Sequence, residues 1–147
     1  MRVTAKGRYG LAAMIHIAQQ KDDACVPVIH ISEKLDISKI YLEQVFALLK
    51  RGGLVSSIKG SQGGYRLVYD AKDITVYAIM KATEAAIFEQ TKPTVAVQAP
   101  EIDQTMSKRV FEALDEAVQV MLESVSLQTL VDEAQNQLDN EGYMFFI

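Results

Sequence analysis

The chain has 147 residues, of which 49% are apolar and 23% charged, and these ordinary globular values predict one or two small domains with a proper core. One cysteine excludes an internal disulfide framework and is typical of a reducing, cytoplasmic location. Because no apolar run approaches the roughly 18 to 20 residues that span a bilayer, and the N-terminus lacks a signal-peptide core, we expect no membrane association.

The net charge of −4 conceals an uneven distribution along the chain. Residues 1–70 carry ten Lys/Arg and six Asp/Glu, whereas residues 71–147 carry five and thirteen. The first part therefore has a net charge of +4 and the second of −8. One face could then approach phosphates while the other repels them, although uneven halves are also common in acidic proteins.

The first seventy residues predict a helix-turn-helix followed by a hairpin. Apolar spacing indicates helices over residues 7–20 and 28–35, and Asp36 stands where the chain must turn. Ser38 is a good N-cap for a third helix, which Gly52-Gly53 would end in the left-handed conformation. Two alternating strands, 54–59 and 65–69, flank the glycine-rich tip 60–64. This order of elements is typical of proteins that place a helix in the DNA major groove.

The remaining chain predicts two further helices and a possible third. Asp73 or Thr75 could cap a helix over about 75–85, and residues 89–102 read as a loop. A long helix over about 103–125 carries a wide apolar stripe from Met106 to Val125, which needs a partner, most simply a symmetry mate. A shorter helix would continue to Leu138. We therefore predict a mainly α fold with a small β wing (α+β), divided into a winged helix-turn-helix domain (1–85), a linker (86–102) and a dimerisation helix with its tail (103–147).

Several short motifs resemble the IscR/NsrR/CymR (Rrf-two) family of winged-helix regulators. They are Lys6–Leu11, Ile37-Ser38, Tyr41–Gln44, Gly53–Val55 and Gly63–Leu67, in matching order over roughly residues 1–85. The resemblance implies a homodimeric repressor that binds a pseudo-palindromic operator in double-stranded DNA through two recognition helices.

Many members of the family hold an iron–sulfur cluster with three linker cysteines, but Lys92–Met106 contains none. A cluster is therefore not expected, and no cofactor is predicted. The lone Cys25 and the aromatic C-terminus ending in Ile147 resemble the cluster-free CymR branch, which implies control of cysteine and sulfur metabolism genes. That branch also implies cysteine synthase (O-acetylserine thiol-lyase) as a signalling partner.

The predicted DNA contacts lie on three elements. Ser38, Lys39 and Tyr41 would hold phosphates, while Gln44 could read adenine and Glu43 could accept from the cytosine amino group. In the wing, a lysine stands at position 59, where the family usually has arginine; it keeps the charge but not the flat fork that fits a narrow groove. The complete predicted set is Arg8, Ser38, Lys39, Tyr41, Glu43, Gln44, Lys50, Lys59, Gln62, Gly63 and Arg66.

Two alternatives remain open from the residues themselves, and the residues also bear on whether the protein is an enzyme. Cys25 is either a redox sensor or an inert thiol, with the acidic Asp22 and Asp23 disfavouring its thiolate. The tail (Tyr143, Phe145, Phe146, Ile147) either packs on its own dimer or docks into a partner enzyme, which would make the protein an interaction subunit. An enzyme is not expected, since His16 and His30 lack ligands at metal spacing and no nucleophile elbow, phosphate loop or dinucleotide fingerprint occurs.

Overall fold

The computed structural model describes residues 1–20 and 25–145, with side chains described as far as Gly142. The helices are α1 (Ala5–Gln19), α2 (Val28–Leu35), α3 (Lys39–Arg51), α4 (Val76–Thr83), α5 (Pro100–Met106), α6 (Glu112–Glu123) and α7 (Leu127–Phe145). Strands β1 (Val55–Ile58) and β2 (Gly64–Leu67) form the hairpin. The mainly α fold with a small β wing is confirmed.

The turn between α2 and α3 has the geometry expected from its residues. Asp36 is the one non-glycine residue with positive φ among those described, at φ 53° and ψ 47°. Ser32 Oγ donates to the Ile37 carbonyl at 2.6 Å, and Ser38 Oγ accepts from the Tyr41 N–H at 3.2 Å. The Ser38 cap is therefore confirmed, and Gly53, at φ 76°, provides the left-handed stop after α3.

The wing is a two-stranded antiparallel sheet with the register Val55↔Leu67 and Ile58↔Gly64. Both strands are shorter than the sequence predicted. The segment before α2 joins them, because Val26 pairs with Tyr65 through hydrogen bonds in both directions, at 2.8 and 2.9 Å. A side chain at position 64 would collide with the Val26 carbonyl oxygen, 2.3 Å from the Cβ position, so this pairing requires glycine there.

Helix α1 begins at Ala5, two residues before the predicted start. Ahead of it, the Thr4 N–H and hydroxyl both donate to Glu84 Oε1, at the end of α4. Glu84 is only 4% exposed, and a Cβ at Gly7 would overlap its side chain. The carboxylate of Glu84 thus binds the N-cap residue Thr4, whose side chain accepts from no first-turn amide, and joins the start of α1 to the end of α4.

Helices α1, α3 and α4 enclose the core, and α7 completes it. Met14, Phe46 and Ile79 are fully buried there, and so is Leu127 at the start of α7. The Val76 N–H donates to the Val125 carbonyl at 2.9 Å, and the Leu127 N–H donates to the Ile74 carbonyl at 2.8 Å. The predicted domain boundaries at residues 85 and 102 stay predictions. The first turn of α7, however, packs inside the core that α1, α3 and α4 enclose.

The long helix differs from its prediction at both ends. It begins at Pro100, which suits the first helical position because its missing N–H would have no intrahelical partner. A π-helical turn, Ser107–Phe111, separates α5 from α6. The inclusion of Val125 in the helical stripe is wrong, since α6 ends at Glu123 and Val125 lies in the extended segment that pairs with Val76.

The apolar band on this helix is divided between two directions. Val118 and Leu122 line a cavity of about 310 Å³ with Met80 and Ile87 of their own chain. Met121 borders the same cavity but is 58% exposed, and Val110 and Leu114 are 53% and 56% exposed. Within the described ranges, no helix combines the length and apolar character needed to cross a membrane.

The role of Leu127 gives a stability prediction. Leu127→Ala should lower the free energy of unfolding by roughly 2–5 kcal/mol, because it leaves a cavity in a packed core. The control is Leu138→Ala in the same helix, where the side chain is 58% exposed and a change within about 0.5 kcal/mol is expected. Urea unfolding followed by circular dichroism measures both. Equal losses for the two variants would contradict the packing of α7 into the core.

Candidate nucleic-acid interface

Helix α3 presents one buried and one open side. Leu42, Val45 and Leu49 have no exposed surface and hold the helix against the core. The opposite side is exposed and polar, carrying Lys39, Glu43, Gln44 and Lys50. Ser38 is also exposed, but its oxygen already accepts from the Tyr41 N–H, so only its hydroxyl proton is free for a phosphate. The structure thus brings the predicted residues of this helix together on one accessible face.

Ile40 was missed by the sequence reasoning. It lies between Lys39 and Tyr41 in the first turn of α3 and is 72% exposed. A large apolar side chain on a solvent-exposed helix face is suited to contact with a thymine methyl group. Its position off the apolar stripe of α3 was the available signal, because an apolar residue that cannot reach the core needs another explanation.

Tyr41 has a structural contact as well as a predicted DNA contact. Its half-buried ring packs edge-on against Tyr9 of α1, with the centroids 5.2 Å apart and the planes at 87°. The Arg8 guanidinium lies 5.9 Å from the Tyr9 ring centroid, and Arg8 is itself exposed. These contacts place Arg8 and Tyr41 on a continuous surface formed by the starts of α1 and α3.

The wing residues divide into those tied to the protein and those that are open. Lys50 Nζ donates to Ser57 Oγ at 2.8 Å, which links α3 to β1, and Arg66 Nε donates to Ser56 Oγ at 3.4 Å. Lys59 and Gln62 are exposed at the tip. A Cβ at Gly63 would lie 2.1 Å from the Ile58 carbonyl oxygen. Gly63 is therefore required by the hairpin itself, whatever it contacts outside.

A cleft of about 390 Å³ separates the wing from the starts of α2 and α3. Lys39 of α3, Lys59 at the hairpin tip and Tyr65 of β2 all line it. Two cations that the sequence assigned to separate elements therefore face one groove. A phosphate backbone is the anionic chain that such a groove would attract.

Tyr65 connects the wing to α3. Its ring is stacked on that of Phe46, with centroids 4.1 Å apart and planes at 8°. Burial raises the pKa of the Tyr65 hydroxyl above its ordinary value, and the carboxylate of Glu43 adds to this rise. The hydroxyl is therefore protonated at neutral pH and can act as a hydrogen-bond donor.

The linker before the long helix is organised by Asp103. Its Oδ1 accepts from the N–H groups of Thr94 and Val95, both at 2.8 Å. The Ala99 N–H donates to the Val95 carbonyl, also at 2.8 Å. A carboxylate that accepts two backbone donors forms strong hydrogen bonds, so Asp103 closes this loop onto the start of the helix.

The remaining candidates are scattered. His16 is buried in α1, where desolvation, followed by Lys34 and His30, lowers its pKa and favours the neutral ring. Cys25 is a half-buried free thiol beside Val26. No group of three or more His, Cys, Asp or Glu side chains able to hold a metal occurs in the part of the chain that the structure describes. Phe146 and Ile147 lie outside the described residues, as do the side chains of Tyr143 and Phe145.

Comparison with known proteins shows the family to which this fold belongs. The chain is 36% identical over 142 residues to the HTH-type transcriptional regulator IscR of Photorhabdus laumondii, covering 97% of this chain and 85% of that one. The IscR of Photobacterium profundum is 46% identical over 87 residues, 59% of this chain and 51% of that protein.

Solved structures agree with these relatives. T. potens IscR superposes with a TM-score of 0.74 at 31% identity, over 99% of this chain and 96% of that one. CymR, the global cysteine regulator of B. subtilis, superposes with a TM-score of 0.72 at 28% identity, over 90% and 98%. Residues 3–133 match the Rrf2 family, described as iron-dependent transcriptional regulators. The chain is a winged-helix, DNA-binding transcriptional regulator and belongs to the Rrf2 family.

Proposed function

We propose that this regulator is a repressor that binds a pseudo-palindromic operator as a homodimer. The observation that carries the proposal is the continuous open surface formed by the polar side of α3, the cleft and the wing. Helix α3 would enter the major groove, and Gln44, Glu43 and Ile40 would meet base edges. Lys39 and Lys59 would hold the phosphates of the strand that crosses the cleft.

The phosphate contacts give a prediction about salt. Affinity for operator DNA should fall steeply as salt rises, and Lys39→Gln should reduce the slope of log affinity against log salt by about 1. Gel-shift titrations from low to moderate salt measure the slope. Lys92→Gln in the linker is the matched control, because Lys92 is exposed outside the proposed interface. A salt-insensitive complex, or equal slopes for both variants, would contradict the proposal.

The exposed part of the apolar band along the π-helical turn and α6 supports the homodimer. Val110, Leu114 and Met121 follow one another at helical spacing, and each is more than half exposed although it is large and apolar. An identical helix from a second copy could cover them through an isologous contact. Two copies joined in this way would present two recognition helices, as a two-fold symmetric operator requires.

The dimer gives a second prediction. Leu114→Glu should convert the protein to a monomer and weaken operator binding at least tenfold, because it places a charge in an apolar contact. Gln119→Lys adds a charge to α6 and keeps a donor for Glu123, the present partner of the Gln119 amide, so it should leave the dimer intact. Analytical ultracentrifugation reports the mass of each variant. A wild-type protein that is monomeric at micromolar concentration would refute this part of the proposal.

We further propose that the protein regulates without an iron–sulfur cluster, although its family is described as iron-dependent. The residues of the linker do not fit such a group. Lys92–Met106 has no thiolate to offer, and the carboxylate oxygen Oδ1 of Asp103 already accepts two backbone hydrogen bonds. The loop therefore takes its shape from Asp103.

Hydrogen exchange can test this role of the linker. The Thr94 and Val95 amides should be protected in the wild-type protein, and the protection should not change when ferrous iron and sulfide are supplied anaerobically. Asp103→Ala should accelerate exchange at these two amides at least tenfold, since a lost charge-assisted bond is worth about 1.5–3 kcal/mol. Glu101→Ala, two residues earlier in the same helical turn, is the control. Visible absorbance of a bound cluster after this treatment would contradict the proposal.

For the regulated genes, we propose genes of cysteine and sulfur metabolism. The structural likeness to the B. subtilis cysteine regulator and the linker without cysteines support this assignment. The similarity to relatives named IscR partly favours the alternative, a redox or iron–sulfur sensor regulator. Sequencing genomic fragments retained by the protein separates these targets. The redox role of Cys25 and the docking of the tail to cysteine synthase stay predictions from the sequence.

A further inference from the structure

Glu84 is a buried acidic residue that takes no part in the proposed DNA contacts. It follows the last residue of α4 and is 4% exposed. Its side chain packs so closely against α1 that a Cβ at Gly7 would lie 2.5 Å from both Cγ and Oε1 of Glu84. A Cβ at Gly10 would likewise lie 2.9 Å from Cγ2 of Thr83. Two glycines therefore let the end of α4 reach α1 closely, and the carboxylate buried there needs hydrogen-bond donors.

Thr4 supplies these donors from the residue that precedes α1. Its N–H and its hydroxyl both donate to Glu84 Oε1. Its carbonyl accepts from the Arg8 N–H at 3.1 Å, in the first turn of the helix. The Thr4 backbone is thus bound on one side by the carboxylate and on the other by Arg8. A continuous path of hydrogen bonds joins the end of α4 to the main chain of Arg8.

Arg8 extends this path to the recognition helix. Its guanidinium lies 5.9 Å from the centroid of the Tyr9 ring, which packs edge-on against Tyr41 of α3. The arginine itself is exposed. An exposed arginine side chain has many conformations, so the placement of its main chain decides which phosphates it can reach. The contacts that hold the start of α1 therefore limit the reach of Arg8.

We propose that Glu84 is a positioning residue for DNA binding, which acts through Thr4 to hold Arg8 against a phosphate beside the recognition helix. This inference rests on the proposed use of the α3 surface for operator DNA. The carboxylate fixes the Thr4 amide and hydroxyl, and the Thr4 carbonyl fixes the Arg8 amide. Phosphate contacts set the register of a protein on the duplex, so Arg8 held in this way aligns the bases with α3.

The charge of Glu84 separates this role from simple electrostatics. A negative side chain repels DNA, so its removal by itself would strengthen binding. Positioning has the opposite consequence, because an Arg8 main chain that is no longer fixed through Thr4 makes a weaker phosphate contact. The direction in which affinity changes therefore distinguishes the two effects.

The test measures affinity and its salt dependence by gel shift, on a duplex that the wild-type protein selects from a randomised library. Arg8→Gln should reduce the slope of log affinity against log salt by about 1. Glu84→Ala should weaken binding roughly five- to tenfold, although it removes a negative charge. In the Arg8→Gln protein, the same substitution should weaken binding no further. Glu84→Gln keeps an acceptor oxygen and should bind within about threefold of the wild-type protein.

Thr4→Val tests the same path from the surface, because Thr4 is exposed and the substitution removes only its hydroxyl. It should weaken binding roughly two- to fivefold, and not at all in the Arg8→Gln protein. Thr105→Val is the matched control. Thr105 is also exposed, and its hydroxyl donates to the Glu101 carbonyl at 2.7 Å, so this variant should bind as the wild-type protein does. Thermal unfolding shows which variants are folded.

Tighter binding by Glu84→Ala overturns the inference, and so does an equal loss in the wild-type and Arg8→Gln proteins, which would indicate a general effect on the fold. An Arg8→Gln protein with wild-type affinity and salt slope also overturns it. Operator binding through α3 stands in each of these cases. If Glu84→Ala does not fold, the comparison of Thr4→Val in the two backgrounds decides. A wild-type protein that selects no sequence overturns both the inference and the proposed operator binding.

Discussion

The left-handed conformation of Asp36 is the constraint on which the exposed polar side of α3 depends. It lets the chain reverse within two residues, after which the Ser38 hydroxyl begins α3. The direction of α3 then decides which of its residues are buried. Leu42, Val45 and Leu49 turn into the core, so Lys39, Glu43 and Gln44 must face outward. A different direction here would place charged side chains in the core.

The local features of this molecule could be predicted from the sequence, because short polar residues act on backbone groups close to them. Ser38 caps α3, and Thr75 caps α4 by accepting from the Ala78 N–H at 3.1 Å. Asp73, the alternative cap, lies instead in a short 3-10 helix. The resemblance of the motifs to the family was likewise readable, since those motifs are short and contiguous.

Contacts between distant residues could not be predicted in the same way. Three such contacts link segments at least 39 residues apart along the chain. They are the pairing of Val26 with Tyr65, the two hydrogen bonds from Thr4 to Glu84, and the hydrogen bond from the buried Leu127 to Ile74. Nothing in the sequence near Val125 shows that it leaves the helix to pair with Val76. The apolar stripe includes Val125 at helical spacing. Periodicity alone does not reveal that its carbonyl is hydrogen-bonded to a distant segment of the chain. The hydrogen bonds of Asp103 could not be predicted for the same reason, because its partners are backbone amides, which have no sequence signature.

The hydrogen bonds of Val125 and Leu127 with Val76 and Ile74, at the start of α4, have a consequence for DNA recognition. They tie the C-terminal end of α6 to the domain that carries α3, while Asp103 closes the linker onto the start of α5. In the proposed dimer, the separation of the two recognition helices is then a fixed length. Each inserted base pair rotates one half-site by about 34–36° around the DNA axis. Such a dimer would therefore discriminate by the phase of the two half-sites as well as by their bases.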